Sequence, residues 1–318
     1  MELATAVLLF LLGLILIVRG GDWFLDGAVW IAETTGVPRF IIGATIVSLA
    51  TTLPELTVSV TGVLAGELDL AIGNAVGSVT ANLGLIMGIS AVCIPAAVDH
   101  KHFDFKAILM VAGGLLLWFL CRTGELSAWE GAVLFAVFGA YFYNNLRDAQ
   151  ASREADRRNR PQRRTVSYRQ AVQKLAFFVL GLGGIVLGSR LLITYGSSLA
   201  LLLGVPESVV GVTMVAIGTS LPELVTTITA IVKREPALSV GNILGANVID
   251  LTMILPICAM ISGGKLALGW QTLGLDIPVC LLACILAVAP PLVKGSFYRW
   301  QGVALLGLYG VYLALLVG

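Results

Sequence analysis

Two glutamates stand where a membrane-spanning helix should carry none. Glu55 lies in "ATTLPEL" (Ala50 to Leu56) and Glu223 in "GTSLPEL" (Gly218 to Leu224). Each follows a proline directly, inside a long apolar run. Pro54 has no N–H to give to the carbonyl four residues back, at Ala50, and its ring crowds that turn. Pro222 does the same to Gly218. Carbonyl oxygens around residues 50–51 and 218–219 are thereby freed. A broken helix persists in a bilayer only where its backbone is buried in protein or lines a polar cavity. Thr51 and Thr52, with Thr219 and Ser220, add hydroxyls at the same level.

Asp250 is a third acid inside an apolar run. Each such group costs about 2.5–3.5 kcal/mol at a helix centre, so three unpaired acids cost roughly 8–10 kcal/mol. Arg19 and Arg190 are the basic residues within or near spans, and both lie near span ends or far from the motif in sequence. A bound cation compensates better. Carboxylates, carbonyls, hydroxyls and amides are hard oxygen ligands, which suit Ca2+ or Na+. No His or Cys accompanies the motif, which argues against zinc and copper. Two carboxylates match the charge of Ca2+, and the same cage could hold Na+ ions spread over neighbouring positions.

The elements that must position these groups are membrane helices. Of 318 residues, 58% are hydrophobic and 12% charged; soluble domains carry about twice that charged fraction. Apolar runs mark ten helical segments, near 3–30, 38–65, 70–95, 105–121, 126–146, 172–200, 205–232, 238–262, 270–290 and 298–317. The N-terminus lacks a basic region and a small-residue cleavage site, so it reads as the first span. The five cysteines fall mostly in apolar runs without a C-x-x-C and read as small buried apolar residues. Residues 147–174 carry nine Lys/Arg against three Asp/Glu. The chain therefore divides into helices over 1–146, a basic cytoplasmic linker over 147–171, and helices over 172–318. With the linker inside, both termini lie outside. Arg39, Lys101, Lys106, Lys233, Arg234, Lys294 and Arg299 then fall on the cytoplasmic side, against Arg122 and Lys265 outside, as the positive-inside rule requires. The same basic segment could also touch anionic lipid. No stretch suits nucleic acid.

The two halves are copies. At a constant offset of 168, 18 of the 48 positions from Gly36 to Leu83 are identical to their partners. The aligned stretches include "GNAVGSVTANL" from Gly73 and "GNILGANVIDL" from Gly241. Five spans per half is an odd number, so the second copy enters the membrane from the opposite side. The expected fold is all-α, ten transmembrane helices as two inverted five-helix repeats, with a site at the midplane between them. Ser78 and Asn82, four apart, share a helix face; Ala246 and Asp250 occupy the matching places.

On these residues the chain resembles the sodium/calcium exchanger family of the cation/calcium antiporter superfamily, with its two α-repeats. The resemblance is most specific over 43–85 and 211–253 and covers nearly the full length in topology. It implies that Glu55 and Glu223 are shared by Ca2+ and Na+, and that Thr51 and Thr219 give backbone carbonyls to both. It implies further carbonyls to sodium from Ser48 and Ala216, a hydroxyl from Ser78, and a middle position lined by Asn82 and Asp250. Thr52 and Ser220 would support the site from behind. It also implies that the first and sixth helices slide past this core. Two positions depart from the family pattern: Ala50 replaces Gly, and Ala246 replaces Ser. The second removes a hydroxyl that would serve sodium and puts the usual three Na+ per Ca2+ in question.

The expected function is a cell-membrane antiporter that expels Ca2+ using inward Na+ flow. Its expected partners are the transported ions and membrane lipid, with no cofactor. Proton/calcium exchange and a potassium-dependent variant remain open, the latter through Asp250 and "LTMILP". A cation channel is a different class, which inverted repeats around one central site disfavour. No G-x-S-x-G, H-E-x-x-H or paired catalytic Asp motif points to an enzyme.

Overall fold

The computed structural model describes residues 3–159, 167–203 and 218–317. Among these, seven helices are long and apolar enough to cross a membrane, and a bent pair makes an eighth. Helix α1 is Leu3–Thr35. The bent pair is α2, Arg39–Thr51, and α3, Leu53–Leu64, meeting at 41°. Helix α4 covers residues 68–93 and α5 is His100–Leu120. Helix α6 is Ala128–Asn159 and α7 is Tyr168–Leu202. Then follow α8, Leu221–Val232, α9, Pro236–Ile261, α10, Thr272–Lys294, and α11, Arg299–Val317.

Burial separates core from periphery. The apolar window of α9 is 83% buried and that of α4 72%, against 22% for α1 and 28% for α7. The window of α11 is also 28% buried; of these three outer helices, α1 and α7 pack on each other through glycines. Gly13 meets Gly188, and Gly20 meets Gly181. These two contacts exchange under a shift of 168 residues. Absent side chains let the backbones approach closely, as lipid-embedded helices require.

Local geometry recurs at the same spacing. Thr52 and Ser220, at the two breaks, have φ/ψ of −83/0° and −80/4°. Gly66 and Arg234, past the ends of α3 and α8, both have positive φ, 84° and 58°. The amides of Glu67 and Glu235 each donate at 2.8 Å, to Gly62 and Ala230. Wide π-helical turns begin at Asn82 in α4 and at Asp250 in α9. Such turns open the backbone ladder and are frequent at functional sites.

Two local features differ from the sequence reading. The fold is not purely helical: Glu125–Ser127 pairs antiparallel with Lys265–Ala267. Gly124, Gly263 and Gly264, all at positive φ, let these loops turn into register. The fifth helix does not stop near 146 but runs to Asn159. Hydropathy ends the span there, but "RDAQASREADRRN" contains good helix formers and no proline. Lys106 falls within the helix, as the segment near 105–121 implied. It is fully buried in α5, donating to Asp148 at 2.7 Å and to the His102 carbonyl at 3.0 Å. Of the cysteines, Cys93 is exposed and the other four are buried.

Candidate functional site

The breaks bring α2, α3, α4, α8 and α9 together around their acids. Glu55 and Glu223 each sit in the first turn of a helix, α3 and α8, with the proline one residue earlier. That end of a helix carries unsatisfied N–H groups and favours negative charge. Asp250 opens the π-turn of α9. All three side chains are at most 1% exposed. All six of their carboxylate oxygens are buried with no partner at hydrogen-bond geometry among the described residues. Glu55 feels the charges of Glu223 and Asp250, and Asp250 that of Glu223, so the three share one electrostatic environment. No three Asp, Glu, His or Cys side chains among the described residues form a metal cluster on their own. Any cation held here needs hydroxyls, amides and carbonyls as well.

Those groups surround the acids. The Ser78 hydroxyl lies 3.2 Å from that of Thr219, linking α4 to the second break. Thr51 donates to Asn242 Oδ1 at 3.3 Å, linking the first break to α9. Thr51 and Thr52 also face Glu223. The Thr52 hydroxyl is donated at 2.6 Å to the Ser48 carbonyl, which also accepts the Thr52 amide at 2.9 Å. That carbonyl is thus engaged within its own helix. Asn82 donates to Asn247 Oδ1 at 3.1 Å and keeps its own Oδ1 buried and unpartnered. The Ser220 hydroxyl is buried without a partner. Ala246 is fully buried and offers no polar atom. Ala216 lies outside the described residues.

Several polar residues escaped the sequence reading. Asn74 Nδ2 donates to the Glu55 carbonyl at 3.1 Å and to Ser59 Oγ at 2.9 Å. Asn242 Nδ2 donates to Thr226 Oγ1 at 3.1 Å. These asparagines tie each core helix to the helix carrying a glutamate. Their identity at the 168 offset was the available signal. Asp276 in α10 is a fourth buried acid, and it accepts from Tyr312 at 3.0 Å.

A cavity of about 260 Å³ reaches this region from α7. Its lining includes Pro54, Asn74, Ser189, Arg190, Thr219 and Pro222.

Fold and site together define a multi-pass helical membrane protein with buried acids beside paired helix breaks in its interior. The chain belongs to the sodium/calcium exchanger family: the sequence profile described as "Sodium/calcium exchanger protein" matches residues 5–147 and 174–318. An uncharacterized membrane protein of Methanocaldococcus jannaschii is 32% identical over 310 residues, covering 96% of each chain. The sodium/calcium exchanger MaX1 of Methanosarcina acetivorans is 29% identical, covering 97% of each. A structure of the sodium-calcium exchanger NCX_Mj, soaked with Na+ and Sr2+, matches 98% of this chain and 99% of its own at 28% identity, with a TM-score of 0.84.

Proposed function

We infer that this chain is a secondary antiporter that exchanges Na+ for Ca2+ across its membrane by alternating access, in the direction of Ca2+ extrusion. The observation that carries the reading is the set of six buried carboxylate oxygens with no partner at hydrogen-bond geometry among the described residues. Buried charge without a partner is costly, and a bound cation removes that cost. Glu55 and Glu223 serve both ions. Thr51 and Thr219 add carbonyls, and Ser78 a hydroxyl. Asn82 and Asp250 line the middle position, with the free Asn82 oxygen as one donor atom. Ser48 would release the Thr52 hydroxyl to reach sodium, and the Ala216 carbonyl is assigned on sequence alone. Thr52 and Ser220 brace the breaks.

The chain folds in this reading as ten helices in two inverted repeats, 1–146 and 172–318, with residues 147–171 cytoplasmic and both termini outside. The matching dihedrals at Thr52 and Ser220 support it, as do the exchanging contacts of Gly13–Gly188 and Gly20–Gly181. These are the contacts a two-fold axis between α1 and α7 would produce. The glycine-lined pair, little buried, is suited to slide against the core. An empty site leaves uncompensated acids in the interior, so the switch favours the loaded protein, and the two ions compete for one cage.

Reconstitution tests the reading. Liposomes loaded with Na+ should take up labelled Ca2+, and uptake should follow the Na+ gradient. Uptake driven by a pH gradient and indifferent to Na+ would overturn sodium coupling. Uptake at channel-like rates without any opposing gradient would overturn antiport.

A further inference from the structure

The cavity beside α7 carries a charge of the wrong sign for its task. It is lined by Thr219 and by the two prolines that directly precede the glutamates, while the glutamates themselves lie outside its lining. Its one charged lining residue among those described is Arg190. Arg190 is exposed, and none of the ion pairs between described residues includes it. Next to it Ser189, only 4% exposed, has no hydrogen-bond partner for its hydroxyl among the described residues. A cation that approaches the acids through this cavity passes a fixed positive charge.

The feature is one-sided. At the 168-residue offset Arg190 corresponds to Asp22 in α1. Asp22 and Asp26 hold Lys233, with Nζ to Oδ1 distances of 3.2 and 2.6 Å. The α1 position therefore has two acids around one lysine, and the α7 position an arginine without an ion-pair partner among the described residues. The charge balance is opposite at equivalent places.

We propose that Arg190 is a specificity-determining charge in the access cavity: it weakens Ca2+ capture from that face more than Na+ capture, so that Ca2+ is released there and Na+ can replace it. The proposal rests on the reading that Glu55 and Glu223 bind the ions. Its physical content is that Coulomb repulsion scales with ion charge. A unit charge ~10 Å away, behind water-like screening, weakens binding roughly twofold for a monovalent ion and fourfold for a divalent one. The factor for Ca2+ is thus the square of that for each Na+. Added salt screens both.

Calorimetric titration of the purified full chain with CaCl2 and with NaCl tests this, at low ionic strength and again with choline chloride. Arg190→Gln should tighten Ca2+ about fourfold and each Na+ about twofold, the difference from the parent shrinking with salt. Arg190→Lys should bind like the parent. Equal tightening of both ions, no change, or salt-independent change would overturn the proposal, since a packing role has no charge scaling. Glu223→Gln separates the premises. If it still binds Ca2+ like the parent, the site reading fails. If it loses Ca2+ while Arg190→Gln shifts nothing, the proposal alone fails.

Discussion

The Ser78 hydroxyl lies 3.2 Å from the Thr219 hydroxyl, joining a core helix of the first half to the break of the second. The repeat-related pair is Ala246 and Thr51, and there the link is missing because the Ala246 side chain has no oxygen. Thr51 turns instead to Asn242. Ala246→Ser should therefore supply the absent oxygen and raise the Hill coefficient for Na+ in Na+-dependent Ca2+ uptake. A coefficient no higher than the parent's would show that position 246 does not set the stoichiometry. Ala246 is fully buried, so the added atom is expected to cost about 1 kcal/mol or more of stability.

Glu223→Gln should abolish exchange while leaving the protein folded. The amide is nearly isosteric and removes a buried charge that lacks a donor. In the parent, Ca2+ at 100 times its Kd should stabilise by about 2.7 kcal/mol. Thermal melts in detergent with and without Ca2+ should show that stabilisation in the parent and not in the variant. Normal Ca2+ transport by the variant would place the site elsewhere.

Asn74→Ala removes the donor that serves both the Glu55 carbonyl and Ser59. An acceptor left unpaired in a buried site costs about 1–3 kcal/mol. The expected result is a lower melting temperature together with weaker Ca2+ binding, because the Asn74 amide helps fix the turn that carries Glu55. Asn242→Ala should act in the same direction from the other repeat. A loss of stability with unchanged Ca2+ affinity would assign these asparagines to the scaffold alone.

Asp148→Asn should destabilise strongly. It strands Lys106, fully buried and bonded to Asp148 at 2.7 Å. Breaking one side of a buried pair typically costs about 3–5 kcal/mol, whereas replacing both sides with apolar residues is often neutral. The double variant Lys106→Met, Asp148→Leu should melt closer to the parent than Asp148→Asn alone. Equal losses in both would show that packing, not charge, dominates there.

The glutamates, the prolines and the 168-residue register were legible in the sequence because each breaks a rule of membrane helices. A charge or a proline in an apolar run is conspicuous against a uniform background. Asn74 and Asn242 were less so, since an amide beside glycines reads as ordinary packing until its partners are known. The burial of Lys106 was not legible, because a hydropathy boundary does not reveal that a charge has found a partner 42 residues away in α6. The continuation of α6 to Asn159 was hidden for a related reason: the membrane sets where apolarity ends, and helix propensity sets where the helix ends.

The sequence by itself determined the chemistry: which residues bear charge, where the backbone must break, and that the break occurs twice. Only the tertiary structure decided which oxygens are already taken and which are free. The Ser48 carbonyl is engaged by Thr52, whereas the carboxylate oxygens of Glu55, Glu223 and Asp250 have no partner at hydrogen-bond geometry among the described residues, although Thr51 and Thr52 face Glu223. The reason is physical. A residue's capacity to bind an ion depends on the donors around it, and those come from helices distant in the chain. The same holds for Arg190, whose place in the cavity beside Thr219 is fixed by the packing of α7.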